Sequence, residues 1–235
     1  MSEILLETNN LTKIFKKNTA VKGVNLRVRK NTVYGMLGPN GAGKSTTLKM
    51  LTGILTPTKG EIFFEGHKWS RNDLWKISAL IENPPLYDNL TAEENLLVQV
   101  SALGLEKSRI AEVLRIVGLK NTGKKRVKEF SLGMKQRLGI ALSLLNEPGL
   151  LILDEPTNGL DPLGIQELRQ LIRSFTEHGI TVILSSHILS EVEQIADDIG
   201  IIMDGELRYQ EANHQGQNLE QLFLDIVKEG EKSHA

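Results

Sequence analysis

The sequence contains no cysteine. Disulfides, zinc-thiolate centres and cysteine nucleophiles are therefore excluded, and the chain suits a reducing compartment. It has no excess of either charge. Lys plus Arg number 28 against 29 Asp plus Glu, so no overall basic field draws it to nucleic acid. No uninterrupted apolar run approaches the roughly eighteen residues that a membrane-crossing helix needs. Met1-Ser2-Glu3-Ile4 lacks the basic lead into an apolar core that marks a secretion signal. No internal repeat or low-complexity tract is apparent. What remains is an ordinary globular composition, 40% hydrophobic and 24% charged over 235 residues. That length suits one large domain or two small ones.

What is present is one stretch around which the rest can be ordered. Gly38-Pro39-Asn40-Gly41-Ala42-Gly43-Lys44-Ser45-Thr46 reads Gly-x-x-x-x-Gly-Lys-Ser. A β-prone run, Thr32 to Leu37, precedes it, and Leu48, Leu51 and Leu55 follow at helical spacing. A strand entering a glycine turn and leaving as a helix aims backbone N–H groups and the positive helix end at one spot. That spot suits a di- or triphosphate, with Lys44 reaching the β- and γ-phosphates and the Ser45 hydroxyl on Mg²⁺. Kinases, GTPases and transport ATPases share such a loop, so alone it leaves the enzyme open.

Residues 3–38 are β-rich, with Ile4 to Thr8 as one run. Val24 to Arg29 alternates strictly, the pattern of a half-buried antiparallel strand. Pro57-Thr58-Lys59-Gly60 reads as a turn before a strand over Glu61 to Glu65, and Ile77 to Ile81 is a strand stopped by Asn83-Pro84-Pro85. Thr91-Ala92-Glu93-Glu94 is a capping box that opens a helix through Leu103. Helices over Lys107–Val117 and Met134–Leu145 follow, with a solvated basic loop at Lys124-Lys125-Arg126. Leu150 to Asp154 is a continuous apolar run suited to a strand covered on both faces. A helix over Pro162–Glu177, a strand over Ile180–Leu184, a helix over Leu189–Ala196, a hairpin at Asp204-Gly205 and an amphipathic helix over Leu219–Val227 complete the frame. Residues 230–235 are expected to fray. The pattern predicts an α/β fold in a single domain, with residues 1–83 and 148–215 as core and β-subdomain. Residues 84–147 form a helical insert, and 216–235 a terminal helix and tail.

Leu151-Ile152-Leu153-Asp154-Glu155 supplies a second site element. Parallel strands present ligand groups at their carboxyl ends, the edge that carries the phosphate loop. Asp154 is expected to hold Mg²⁺ and Glu155 to polarise the attacking water, although two acids could also simply mark a solvent-facing strand end. Phe130-Ser131-Leu132-Gly133-Met134-Lys135-Gln136-Arg137 precedes a helix. Ser131 and Gly133 there could form a second anion site, or Ser131 could be an ordinary N-cap.

Together these stretches resemble the ATP-binding subunit of ABC transporters, a P-loop NTPase fold with a mostly parallel sheet, an N-terminal antiparallel β-subdomain and a helical insert. Ser131-Leu132-Gly133-Met134-Lys135-Gln136 is similar to that family's signature, usually Ser-Gly-Gly-Gln, and lies between the phosphate loop and Asp154 as the family requires. The resemblance implies an ATPase using ATP and Mg²⁺. It implies that Phe15 stacks on adenine, against the alternative of a core phenylalanine. Leu160-Asp161 matches the loop that crosses the dimer interface, and Ser185-Ser186-His187 ends in the switch histidine that contacts the γ-phosphate. The other four histidines read as surface residues. Family subunits pack head to tail, each ATP lying between one phosphate loop and the Ser131, Gly133 and Lys135 segment of the partner. A complete site then needs two chains, with ATP as the glue. The membrane part is expected from a separately encoded permease docking near Glu82 to Asn95, which places the subunit on the cytoplasmic face of the membrane.

Two departures stand out. Leu132 and Met134 occupy signature positions where glycine and glutamine are usual, and Glu82 stands where the family normally has glutamine. An amide accepts and donates, whereas an ionised carboxylate only accepts. Glu82 could ligate Mg²⁺ beside Asp154, or be a passive substitution. With Ile81-Glu82-Asn83-Pro84, the signature and Ser185-Ser186-His187-Ile188-Leu189-Ser190-Glu191, the chain most resembles the peptide-antibiotic self-protection branch. That branch comprises lantibiotic-immunity and bacitracin-resistance exporters. A non-transport ABC ATPase acting on DNA fits less well, because Ser131 follows Gly43 by only 88 positions without sustained heptads. A ribosomal type carries two cassettes and a basic linker. A kinase or GTPase leaves Ser131 to Gln136 and His187 unexplained.

Overall fold

A computed structural model describes residues 3–214 and 219–232. β1 (Ile4–Phe15), β2 (Asn18–Val24) and β3 (Arg27–Arg29) run antiparallel, and β4 (Val33–Leu37) leads into α1 (Lys44–Leu51). β5 (Lys59–Phe64) and β6 (His67–Lys68) complete an antiparallel sheet of order β2-β1-β5-β6, with β3 also on β1. β7 (Ile77–Leu80) precedes three helices that pack on one another, α2 (Ala92–Leu103), α3 (Ser108–Ile116) and α4 (Leu132–Leu144). Then come β8 (Leu150–Asp154), α5 (Pro162–Glu177), β9 (Thr181–Ser186), α6 (Leu189–Ile195), β10 (Asp198–Met203), β11 (Glu206–Ala212) and α7 (Leu219–Lys232).

The second sheet has the order β11-β10-β4-β9-β8-β7, and only the β10–β11 hairpin is antiparallel. Its strands alternate side chains between two cores. Leu150 and Ile152 join Tyr34, Met36, Leu48 and Phe64 on the face toward α1 and the first sheet. Leu151 and Leu153 join Val33, Leu37, Leu138 and Ile172 on the opposite face, under the helices. Apolar residues at every position therefore follow from burial on both faces. The register decides where the site lies. Leu37 pairs with Ser186 and Asp154 with Ser185, so β4, β8 and β9 end on one edge.

Helix boundaries follow local chemistry. Thr91 caps α2 in a reciprocal box with Glu94, and α5 begins with Pro162 after Asp161, whose carboxylate accepts from Gly164 N–H. Gly35 in β4 permits a close approach. A Cβ there would lie 2.2 Å from Val192 Cγ1 of α6 and 3.0 Å from Ala196 Cβ. Gly35→Ala is expected to lower stability by about 1–3 kcal/mol through overpacking. The check is a urea midpoint, and an unshifted midpoint would show that α6 yields without cost.

Several sequence expectations need correction. Val24–Arg29 is not one strand, because β2 ends at Val24 and the chain restarts as β3 at Arg27. The Thr8 hydroxyl accounts for the break, donating to Val24 O and accepting from Leu26 N–H. Leu55 lies beyond α1, which is capped at Thr52, yet it still packs on the core. Lys59 and Gly60 belong to β5 rather than to a turn, since Lys59 pairs with Thr12. α4 starts at Leu132, two residues early, because Ser131 Oγ accepts from Met134 N–H as its cap. α7 continues through Lys232, so residues 230–232 are helical where fraying was expected. Residues 233–235 lie outside the described residues, as do Met1 and Ser2 of the leader reading.

Candidate active site

The phosphate loop is wedged between two neighbours. Gly205 N–H, in the β10–β11 turn, donates to Ala42 O at 3.0 Å, and Lys22 N–H of β2 donates to Gly205 O at 2.7 Å. Gly43 has φ 105°, and a Cβ there would lie 2.6 Å from Ala20 O, so only glycine fits. The helical hydrogen bonds begin with Thr47 N–H to Gly43 O. The N–H groups of Lys44, Ser45 and Thr46 are left directed out of the helix end. Pro39, Asn40 and Gly41 form the exposed crown, over buried Gly38 and Ala42. Lys44 is 4% exposed, and its Nζ donates to Gly38 O at 2.7 Å and Pro39 O at 3.2 Å.

The acids lie on the same edge. Asp154 is buried at the end of β8, and its Oδ1 accepts from the Ser185 hydroxyl at 2.5 Å. The same hydroxyl accepts from Glu155 N–H at 2.9 Å. This single serine thus fixes the Asp154 carboxylate and the backbone that turns out to Glu155, where φ is 47°. Left-handed backbone at a bulky residue is strained. Glu155 Oε1 lies 3.4 Å from Lys44 Nζ, and its Oε2 lies 3.1 Å from His187 Nδ1. The structure therefore brings Lys44, Asp154, Glu155 and His187 into one cluster. Sequence reasoning missed Ser185 as a participant, although its register opposite Asp154 is the signal that could have found it.

The donor set can be tested for Mg²⁺. Asp154 Oδ2 and the Ser45 hydroxyl make no hydrogen bond among the described residues. A hydroxyl and a carboxylate beside a phosphate cradle suit a small hard cation whose remaining ligands are phosphate and water. Glu82 does not join them. It is 69% exposed with φ 64°, and its Oε1 accepts from Lys49 Nζ at 2.6 Å. The Lys49 hydrogen bond, with the ammonium charge behind it, holds this carboxyl below the usual range. Among the described residues no three His, Asp or Glu side chains converge on a metal position. In this structure the Glu82 carboxylate is engaged by Lys49 of α1.

The remaining expected residues fall elsewhere. Ser131 is exposed at the start of α4, and a side chain at Gly133 would touch Leu160. Lys135 Nζ donates to Asp88 at 2.9 Å, and Asp161 caps α5. No hydrogen bond or ion pair among the described residues links Ser131, Gly133, Lys135 or Asp161 to the phosphate loop. Phe15 is 42% exposed at the end of β1, under Lys13 Nζ at 5.2 Å from its ring centre, so it is no core residue. The same hairpin continues to Ala20, against Gly43. His67, His178 and His214 are exposed, and His234 lies outside the described residues.

Residues 21–158 match the profile of the family described as ABC transporter. The chain belongs to the ABC transporter family. As an ABC ATP-binding subunit it binds ATP and is an ATPase. The lantibiotic transport ATP-binding protein SrtF of Streptococcus pyogenes is 55% identical over 223 residues, covering 95% of this chain and 97% of that protein. The bacitracin transport ATP-binding protein BcrA of Bacillus licheniformis is 47% identical over 235 residues, covering 98% of this chain and 73% of that protein. Among solved structures, the dimeric post-hydrolysis state of the ATP-binding cassette MJ0796, bound to ADP and Pi, is similar at a TM-score of 0.77. It is 26% identical, covering 89% of this chain and 99% of that one.

Proposed function

We propose that this ABC ATPase energises the expulsion of a lantibiotic or related peptide antibiotic from the membrane, protecting the cell that carries it. The observation that carries this reading is the 55% identity to SrtF across nearly the whole of both chains. No helix among the described residues is long and apolar enough to cross a membrane. SrtF is a transport ATP-binding protein, and in this reading the membrane path belongs to a permease, with this chain on its cytoplasmic face.

In this reading the loop from Gly38 to Thr46 wraps the phosphates with its N–H groups, and Phe15 covers the adenine. Lys44 turns from Gly38 O and Pro39 O to the β- and γ-phosphates. Its move releases Glu155, which takes a proton from the attacking water, while His187 holds Glu155 from one side and contacts the γ-phosphate from the other. Ser45 and Asp154 would hold a Mg²⁺ ion, which would supply charge neutralisation to the phosphates. Ser131, Gly133, Lys135 and Asp161 face the ATP of a second copy in a head-to-tail dimer. Their separation from the phosphate loop within one chain and the dimeric state of the MJ0796 cassette support this. Residues 84–147 act as the helical arm between that dimer and the permease.

A groove of about 540 Å³ beside β7 supports the permease contact. Its lining includes Trp75, Tyr87, Val98 and Leu103, and Trp75 and Tyr87 are 59% and 54% exposed. A cluster of large exposed apolar side chains marks a surface that a partner covers. Tyr87 lies in the segment from Glu82 to Asn95, which we assign to that contact. The test is survival of cells carrying the chain and its permease under a lantibiotic or bacitracin. Protection is expected to vanish in a Trp75→Asp, Tyr87→Asp double variant whose purified chain still hydrolyses ATP. Absence of protection in the wild type, with ATP hydrolysis intact, would sink the substrate assignment.

A further inference from the structure

The loops after β8 and β9 carry Glu155 and His187, and both loops are tied to one side chain outside the cluster described above. Glu191, in the first turn of α6, is only 6% exposed. The Thr157 hydroxyl donates to its Oε2 at 2.5 Å, and the Ser186 hydroxyl lies 3.4 Å from the same oxygen. Ser186 Oγ also accepts from Ile188 N–H at 3.0 Å, so it folds the backbone on both sides of His187. Among the described residues no Lys, Arg or His pairs with Glu191. A buried carboxylate held only by hydroxyls costs stability, and an apolar residue of that size would serve packing better. The platform beneath it is firm, because Val192 packs directly on Gly35 of the strand that enters the phosphate loop.

We propose that Glu191 is a positioning residue that clasps the 155–161 loop to the 186–188 loop and so sets the spacing of Glu155 and His187. The reading rests on the roles proposed for those two residues. One clasp fixes both because each loop is short. Thr157 is two residues past Glu155, and Ser186 adjoins His187. Through Thr157 it also holds the approach to Leu160 and Asp161. The state of the γ-phosphate contact and the shape of the loop facing the partner copy are thereby coupled.

The test uses the full chain with its permease, and the variants Glu191→Leu, Glu191→Gln and Thr157→Val. Glu191→Leu is expected to lower kcat about 10- to 100-fold while leaving KM for ATP nearly unchanged, the cost of a misplaced catalytic pair. Glu191→Gln keeps an acceptor oxygen for Thr157 and restores most of the rate. Without ATP, amide exchange in residues 157–161 and 187–188 speeds up in Glu191→Leu and Thr157→Val, and their effects on kcat are not additive. Wild-type kcat in Glu191→Leu, additive effects, or a rate loss matched by lost ATP affinity and a collapsed unfolding midpoint would each overturn the clasp. Glu155→Gln serves as the control. If it also retained turnover, the underlying site reading would fall, whereas an inactive Glu155→Gln beside a normal Glu191→Leu would remove the clasp alone.

Discussion

Glu155→Gln leaves ATP bound and slows its hydrolysis by about 10²- to 10⁴-fold, the range expected when a general base is removed. The substitution keeps size and shape, so Ser185 still accepts from the residue 155 N–H and the strained turn persists. What disappears is the carboxylate. An amide cannot take the proton of the attacking water, and it no longer attracts Lys44, whose Nζ lies 3.4 Å from Glu155 Oε1. Lys44 then commits fully to phosphate, so ATP affinity is expected to stay equal or rise. If the head-to-tail dimer is right, the variant also accumulates as an ATP-bound dimer on size exclusion, since nothing dissolves the glue. Single-turnover hydrolysis and calorimetric ATP binding check the two halves separately. Near-normal turnover would remove Glu155 from the chemistry.

The parts of this site that the sequence revealed share one property: each is a short contiguous segment whose chemistry depends on its immediate neighbours. The phosphate loop needs only a strand before it and a helix after it. Asp154 and Glu155 need only the buried strand that presents them, and the N-cap bond of Ser131 is made to its own helix. These appear where the residue pattern places them. The strand alternation at Val24 to Arg29 was also real in burial, with Val24, Leu26 and Val28 inward. It misled only because a side chain 16 residues away, Thr8, interrupts the ladder.

What was illegible depends on pairings between distant segments. Lys49 and Glu82 are 33 residues apart, and nothing in either segment announces their 2.6 Å contact. That contact gives Glu82, expected as a metal ligand, a lysine partner on α1 as well. Thr157 and Glu191 are likewise 34 residues apart. Their meeting depends on β8 and β9 lying side by side, a fact of sheet order rather than of either motif. Phe15 is a third case. Composition allowed a core residue or a stacking surface, and its exposure at the end of β1 decides against the core.

Lys44→Ala abolishes turnover for the opposite reason, by preventing ATP from binding well. The ammonium is buried yet has no tightly bonded counter-ion: its closest partners are two carbonyls, and the carboxylate of Glu155 stands farther off. A buried cation held this way is poised to exchange its partners for phosphate oxygens, a charge-assisted contact of greater strength. Deleting it should weaken ATP binding by about 10- to 150-fold, the loss expected for a hydrogen bond to a charged group. Lys44→Met is the sharper variant, because it keeps most of the stem volume and removes only the charge. If Lys44→Met binds ATP as tightly as the wild type, the phosphate-loop assignment fails, whatever happens to the alanine form. Set beside Glu155→Gln, the pair separates binding from chemistry. One variant should hold ATP without spending it, and the other should hardly hold it at all. A chain in which both variants bind and hydrolyse alike would place the nucleotide somewhere other than this edge of the sheet.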